Sequence, residues 1–331
     1  MAYFFYGHGG SGDHGSEDRI RGTCRLLPCR PEVLSLRPGE DWHYGLGRLA
    51  DLTRLCCSGI GPGDVCLAAH PEASVRLHGF GASTILWCWT PADRLTARQK
   101  RGLDAVVVMD LKSLNILKNW GIAGILGPDP AFLVDRKLRP LNGAFRRDTV
   151  GLCCSAAIRR YEAGDSLLYE SYCGLIQYLL EQTQFDIALI PYCCQPARDD
   201  SILLSALHQR FSHSDRVFLR HDGPSPELRG DLSLCRFVIG SGGAVAAWSC
   251  GVPALCIGAD PRAMALATDL FGTWRDTLQP VAWLKDPEDL TRAFRQFISR
   301  EDLLRRQLAF AVPNRRQRSL SWSWNTMSLQ A

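Results

Sequence analysis

Short apolar runs alternate with stretches of helical spacing twice along the chain, and this alternation narrows the fold more than any other feature. In the first half, Ala2 to Tyr6, Glu32 to Leu36, Asp64 to Ala69, Ser83 to Trp89 and Ala105 to Met109 read as strands. Between them, Ser16 to Leu27, Leu46 to Cys57, Leu95 to Arg101 and Ser113 to Asn119 read as helices, the first with Ile20, Cys24 and Leu27 on one face. A polar, Arg-rich stretch from Lys137 to Asp148, holding Pro140 and Gly143, reads as a linker. The pattern then restarts. Thr149 to Cys154, Ile187 to Tyr192, Arg216 to Arg220, Phe237 to Gly240 and Ala254 to Gly258 read as strands, and Leu167 to Gln182, Ser201 to Phe211 and Pro287 to Ser299 as helices. Helices inserted between successive strands are the crossovers that parallel pairing requires. The expected fold is α/β, with two Rossmann-like open parallel-sheet domains facing a cleft, residues 1–140 and 148–312. The tail, 313–331, is basic and then Ser/Trp-rich, and reads as loosely held.

Composition excludes several classes of function. The 331 residues suffice for two domains. With 46% hydrophobic and 22% charged residues, the chain has the balance of a globular protein, not a disordered one. A net charge of only +4, with no Lys/Arg stripe, does not fit a nucleic-acid binder. No apolar run approaches the roughly 20 residues of a membrane span. Met1 to Tyr6 is too short, and lacks the basic lead-in, for a signal peptide. Of the 14 cysteines, three pairs are adjacent, Cys56-Cys57, Cys153-Cys154 and Cys193-Cys194, and no CxxC occurs. Neighbouring cysteines bond each other only with strain, so these read as reduced, buried thiols of a cytoplasmic protein. No spacing matches a metal motif, and no cofactor is implied.

Two glycine loops stand out. The first, Gly7 to Gly15, contains Gly9, Gly10 and Gly12 followed by Asp13 and His14. The second is Gly240-Ser241-Gly242-Gly243. Each follows a strand and precedes a helix, where backbone N–H groups attract anions and ligands of open α/β sheets collect. Glycine permits the turns and the close ligand approach that a phosphate cradle needs. Neither loop is a P-loop or a clean dinucleotide fingerprint. Together they predict a phosphorylated substrate in the cleft.

The stretch YGHGGSGDHGSEDRIRGTCRLL resembles the opening of polysaccharide pyruvyl transferases, whose Asn/Asp-x-Gly-x-Glu element is matched by Asp13, Gly15 and Glu17. The resemblance continues through LTARQKRGLDAVVV, GPDPAF, DTVGLCCSAAIRRYE, DIALIPYC, LCRFVIGSGG, GVPALCIG, ATDLFG and LKDPEDLTRAFRQF, about residues 3 to 300. It implies a GT-B-like fold and transfer of pyruvyl from phosphoenolpyruvate to a glycan or sugar-lipid acceptor, forming a ketal in polysaccharide biosynthesis. After a strand like CRFVIG the family carries Arg-x-His, and here Gly240 to Ala244 stand instead. The family's Gly-Gly-Asp and Arg-Glu-Ser elements are likewise replaced, the latter by Met109 to Ser113. The candidate proton-transfer groups are therefore His221, beside Asp222, together with His14 and Glu17. Arg262 falls where the family often carries a Lys, and with Gly242 and Gly243 it is the candidate donor ligand. Two alternatives stay open: an inactive sugar- or phosphate-binding relative, and a nucleotide-sugar-dependent GT-B glycosyltransferase, because GSGGAVAAWSCGVPAL also resembles the loop that grips nucleotide diphosphates.

Overall fold

A computed structural model describes residues 2–8, 14–29, 31–35, 48–49, 60–77, 80–91, 93–141, 144–145, 148–154, 166–194, 199–258 and 260–322. The chain divides into two compact units. One takes Met1–Val134 with Asn314–Ala331, and the other Asp135–Pro313.

The first unit is built on a parallel seven-stranded sheet. In chain order its elements are β1 (Tyr3–His8), α1 (His14–Cys24), β2 (Glu32–Ser35), β3 (Arg48–Leu49), β4 (Val65–Ala68), α2 (Pro71–Leu77), β5 (Ser83–Leu86), α3 (Ala97–Arg101), β6 (Ala105–Val108), α4 (Leu111–Asn119) and β7 (Ile125–Leu126). The spatial order is β3-β2-β1-β4-β5-β6-β7. Strand alternation sorts the core into two faces. Phe4, Tyr6, Cys66, Ala68, Leu86, Val106 and Val108 pack with Leu77 of α2 and Leu117 of α4. Their neighbours Phe5, Leu67, Ile85, Trp87 and Val107 pack on the other face with Ile20 of α1. Both faces are covered, which is why these strands are continuous apolar runs and not alternating ones.

The second unit holds a parallel six-stranded sheet, β8 (Thr149–Cys153), β9 (Asp186–Leu189), β10 (Val217–Leu219), β11 (Phe237–Gly240), β12 (Ala254–Ile257) and β13 (Leu278–Gln279). Its helices are α5 (Ser166–Gln182), α6 (Asp200–Arg210), α7 (Ser225–Leu234), α8 (Ala244–Ser249), α9 (Pro261–Phe271), α10 (Glu288–Ile298) and α11 (Glu301–Ser321), the last running on past Pro313. The spatial order is β10-β9-β8-β11-β12-β13. Both expected open parallel sheets are thus present.

Two local readings are corrected. Arg48–Leu49, read as part of a helix, pairs with β2 as a strand; the rest of Leu46 to Cys57 lies outside the described residues. The segment read as a loose tail is helical as far as Ser321. Arg315, Ser319 and Trp322 recur at i, i+4 and i+7, one helical face, and they dock on the first unit through polar contacts that a hydropathy pattern does not register. The buried Arg315 donates to the Met109 carbonyl (3.2 Å) and to Asp129 (3.4 Å), with its guanidinium over the Phe132 ring. Ser319 Oγ accepts from the Asp129 N–H (3.2 Å), and Trp322 meets Trp87 edge-on at 5.4 Å.

Charge networks fasten the second unit. Asp231 of α7 is fully buried; it takes a two-point bond from Arg220 (3.0 and 2.9 Å) and a further contact from Arg139. Arg139 also donates to the His221 carbonyl (2.8 Å), so the chain after Val134 is tied to the β10–α7 connection. At the start of α11, Glu301 binds Arg236 and Arg305, and both guanidinium groups lie over the Phe237 ring.

Removing the Asp231 carboxylate leaves two guanidinium groups without their counter-charge. Asp231→Ala is therefore expected to cost about 3–5 kcal/mol in urea unfolding, and a loss below about 1 kcal/mol would contradict a buried clamp. Glu301 gives a pH signature. Burial pushes its carboxyl pKa up, but the bonds and charges of Arg236 and Arg305 outweigh this, leaving it below the ordinary value. A depressed folded pKa means stabilisation that is complete above the unfolded pKa of about 4.3 and lost as the pH falls through the folded value. The urea-midpoint gap between wild type and Glu301→Gln should accordingly be larger at pH 7 than at pH 3.

Candidate functional site

The strand order of the second unit reverses direction between β8 and β11, the position where open α/β sheets bind ligands beyond their carboxyl ends. The loop Gly240 to Gly243 leaves β11 at that point. Its glycines are dictated largely by packing. A Cβ on Gly240, which has φ +142°, would lie 1.9 Å from the Cys153 carbonyl oxygen at the end of β8. One on Gly243 would lie 2.6 Å from the Cys153 sulfur. Gly242 faces the Tyr192 ring, which a Cβ would approach to 3.1 Å. Tyr192 is itself set by Asp200 at the start of α6, whose carboxylate accepts from the Tyr192 and Cys193 N–H groups (3.1 and 2.8 Å).

Within this framework the Ser241 hydroxyl is buried and has no hydrogen-bond partner among the described residues. A buried hydroxyl left unbonded costs about 1–3 kcal/mol, so such a group at a ligand edge is a ready donor. Sequence reading singled out the glycines around it and passed over Ser241, although a hydroxyl between glycines was the available signal. Burial pushes the Cys153 and Cys154 thiols beside the loop well up, so they stay protonated and are not nucleophiles.

Arg262 stands in the first turn of α9, directly after β12, the strand next to β11. Its N–H donates to the helix-capping Asp260 carboxylate (3.0 Å), and its side chain is half-buried. His221 is exposed and follows β10, the outer strand, three positions from β11. The strand before Arg262 is thus paired with β11, whereas the strand before His221 is three positions away in the sheet.

In the first unit, His14 and Glu17 form a bonded pair on α1. His14 is fully buried, and its Nδ1 lies 2.9 Å from the Glu17 carboxylate. The other Glu17 oxygen accepts from Arg21 Nε (2.6 Å). A carboxylate oxygen accepts, so the proton of this bond sits on Nδ1. Helical spacing of i, i+3 and i+7 lines the three side chains along one face. Close packing anchors this helix, because a Cβ on Gly22 would sit 1.9 Å from the Pro130 carbonyl oxygen. Gly9, Gly10, Gly12 and Asp13 lie outside the described residues. A separate groove of about 430 Å³ runs between α5 and α10, lined by Tyr178, Glu181, Arg292 and Arg295, and contains none of these residues.

A family model for polysaccharide pyruvyl transferase matches residues 92–261, half of the chain, including the whole Gly240–Gly243 loop and ending one residue before Arg262. No curated protein matches in sequence. Among solved structures, the S. aureus MnaA–UDP co-structure is similar at a TM-score of 0.63 and 10% identity, over 94% of this chain and 91% of that one. Anabaena HepE in complex with UDP and glucose is similar at 0.57 and 13%, over 100% and 98%. A putative UDP-N-acetylglucosamine 2-epimerase from Listeria monocytogenes is similar at 0.61 and 11%, over 94% and 91%. At such identities the likeness concerns the fold, which is GT-B-like. No described helix is long and apolar enough to cross a membrane.

The loop's packing yields a contrast between neighbouring glycines. Gly240→Ala is expected to abolish cooperative thermal unfolding of the second unit, since both its φ and the Cys153 carbonyl exclude a side chain. Gly242→Ala requires only a few tenths of an ångström from Tyr192 and should fold, with a melting point a few degrees lower. Equal tolerance at the two positions would refute the packing account.

Proposed function

The chain belongs to the polysaccharide pyruvyl transferase family, and we propose that it binds phosphoenolpyruvate at the Gly240–Gly243 loop and passes its pyruvyl group to a sugar. The observation that carries this reading is the buried, unpartnered Ser241 hydroxyl at the sheet's switch point, inside the span matched by the family. Ser241 donates to a donor oxygen, and Arg262 neutralises the phosphate or carboxylate charge, as preorganised cations and dipoles do at such sites.

The reaction balances as follows. An acid protonates the methylene carbon of phosphoenolpyruvate, leaving cationic character on the adjacent carbon. One sugar hydroxyl adds there and returns its proton to the acid. The bond from that carbon to the phosphate oxygen breaks, a second hydroxyl closes the ketal, and its proton leaves on inorganic phosphate. His14 is the better-set acid: Glu17 fixes its ring and tautomer, whereas His221 is exposed at the outer strand. Where the family carries Arg-x-His this chain has Gly240 to Ala244, so the acid comes from elsewhere and turnover is slow. The reaction needs no cofactor and no metal.

A second reading, a nucleoside diphosphate on the same loop, is favoured by the UDP bound in the MnaA and HepE structures. Calorimetric titration separates the two. Phosphoenolpyruvate is expected to bind, with Arg262→Ala weakening it about ten- to a hundredfold and Ser241→Ala about fivefold, as for charged and neutral hydrogen bonds. Acceptor-dependent phosphate release should fall about 10²- to 10⁴-fold in His14→Ala, and far less in His221→Ala. Uridine diphosphate binding with no phosphoenolpyruvate binding would replace the first reading by the second.

A further inference from the structure

Two aspartates stand side by side where α6 begins, and they do different work. Asp199 is the helix cap, its carboxylate accepting from the Ser201 N–H (2.8 Å). Asp200 is therefore not needed to cap the helix, and its side chain is wholly buried. One oxygen of its carboxylate accepts from two successive backbone N–H groups, those of Tyr192 (3.1 Å) and Cys193 (2.8 Å). Its own N–H donates back to the Cys193 carbonyl (2.7 Å). Tyr192 and Cys193 lie past Leu189, the end of β9, where buried backbone donors need a partner from outside the sheet ladder. Three bonds from one residue thus fix the chain as it leaves the strand.

This clamp reaches the Gly240–Gly243 loop through one ring. Strands β8, β9 and β11 run parallel, with Leu152 level with both Leu189 and Ile239. Tyr192 and the loop consequently leave the same, carboxyl, end of the sheet. The buried Tyr192 ring backs Gly242, where a Cβ would lie 3.1 Å from its Cδ1. Cys153, at the end of the strand between them, meets Gly240 and Gly243. Burial pushes the Cys153 and Cys154 thiols up and the Asp200 charge adds to it, which sets the carboxylate near that strand end. Ser241 stands between the two pressed glycines, its hydroxyl buried and without a partner among the described residues.

We infer that Asp200 is a positioning residue of the donor site. By fixing the Tyr192 backbone it holds the Tyr192 ring against Gly242, and that contact aims the Ser241 hydroxyl at the donor oxygen. Asp200 acts here by shape and not by charge: a single accepting oxygen serves both N–H groups, and a negative charge close to an anion would oppose its binding. The role rests on the loop being the ligand site proposed above.

Calorimetric titration of the full chain with phosphoenolpyruvate tests it. Asp200→Ala is expected to weaken binding about fivefold, the same as Ser241→Ala, as for one neutral hydrogen bond. Asp200→Asn keeps an accepting oxygen and is expected to bind within about twofold of the wild type. The decisive variant is Ser241→Ala/Asp200→Ala. If Asp200 acts through Ser241, the pair binds no more weakly than Ser241→Ala alone, whereas losses that multiply assign Asp200 to the fold only and overturn the role. Tyr192→Leu removes the ring and leaves both N–H bonds to Asp200. It should reproduce the loss, and it decides the matter where Asp200→Ala does not melt cooperatively; wild-type affinity in Tyr192→Leu overturns the role. The same series run with uridine diphosphate keeps the two claims apart. Phosphoenolpyruvate binding untouched by Asp200→Ala and Tyr192→Leu removes only the positioning role. Uridine diphosphate binding in its place, with the same Ser241-dependent loss, removes only the pyruvyl reading. A wild type that binds neither overturns both.

Discussion

The backbone of Gly240 lies so close to the Cys153 carbonyl that no side chain can come between them. That contact joins the ends of β8 and β11, the two central strands of the second sheet, and fixes where the loop begins. The Cys153 sulfur then presses on Gly243, and the Tyr192 ring backs Gly242. The loop is consequently stiff, and a stiff loop is one that can bury a hydroxyl without a partner. A buried hydroxyl without a partner costs about 1–3 kcal/mol, and a bonded oxygen would relieve it. Fold and site are linked here by sterics before any chemistry is considered.

Charged side chains do much of the remaining work of cohesion, within each unit separately. Asp231 gathers Arg220 and Arg139, Glu301 gathers Arg236 and Arg305, and Arg216 donates to the carbonyls of Leu179, Leu180, Thr183 and Phe185 at the end of α5. In the first unit, Arg315 performs the same service for the Met109 carbonyl. Such arginines are excluded as ligand-binding candidates because their donors are already engaged. Arg262 stands in the first turn of α9, directly after β12.

The sheets were legible because strands buried on both faces read as continuous apolar runs, and the helices between them as apolar residues at helical spacing. Arg48–Leu49 was misread because a two-residue edge strand leaves no period to detect. The Ser225–Leu234 and Pro261–Phe271 helices went unread; each carries a proline in its first turn, a position proline favours. The docked face of Arg315, Ser319 and Trp322 was hidden because its burial rests on polar bonds. Among the candidate residues, sequence singled out Glu17, His14, the glycines and Arg262, but not that Glu17 is bonded to His14, which requires the helix to place them three residues apart on one face. Ser241 was missed for the opposite reason: its significance is a missing bond, and only the packed neighbours reveal that.

The central claim is that the Gly240–Gly243 loop is a donor site whose Ser241 hydroxyl awaits a phosphate or carboxylate oxygen. A crystal structure of the full chain soaked with phosphoenolpyruvate tests it most directly. The account predicts density for the donor beyond the end of β11, with an oxygen within hydrogen-bond distance of Ser241 Oγ and the Arg262 guanidinium turned toward its charge. Donor density elsewhere on the chain, or a loop that stays empty at saturating concentration, would contradict it.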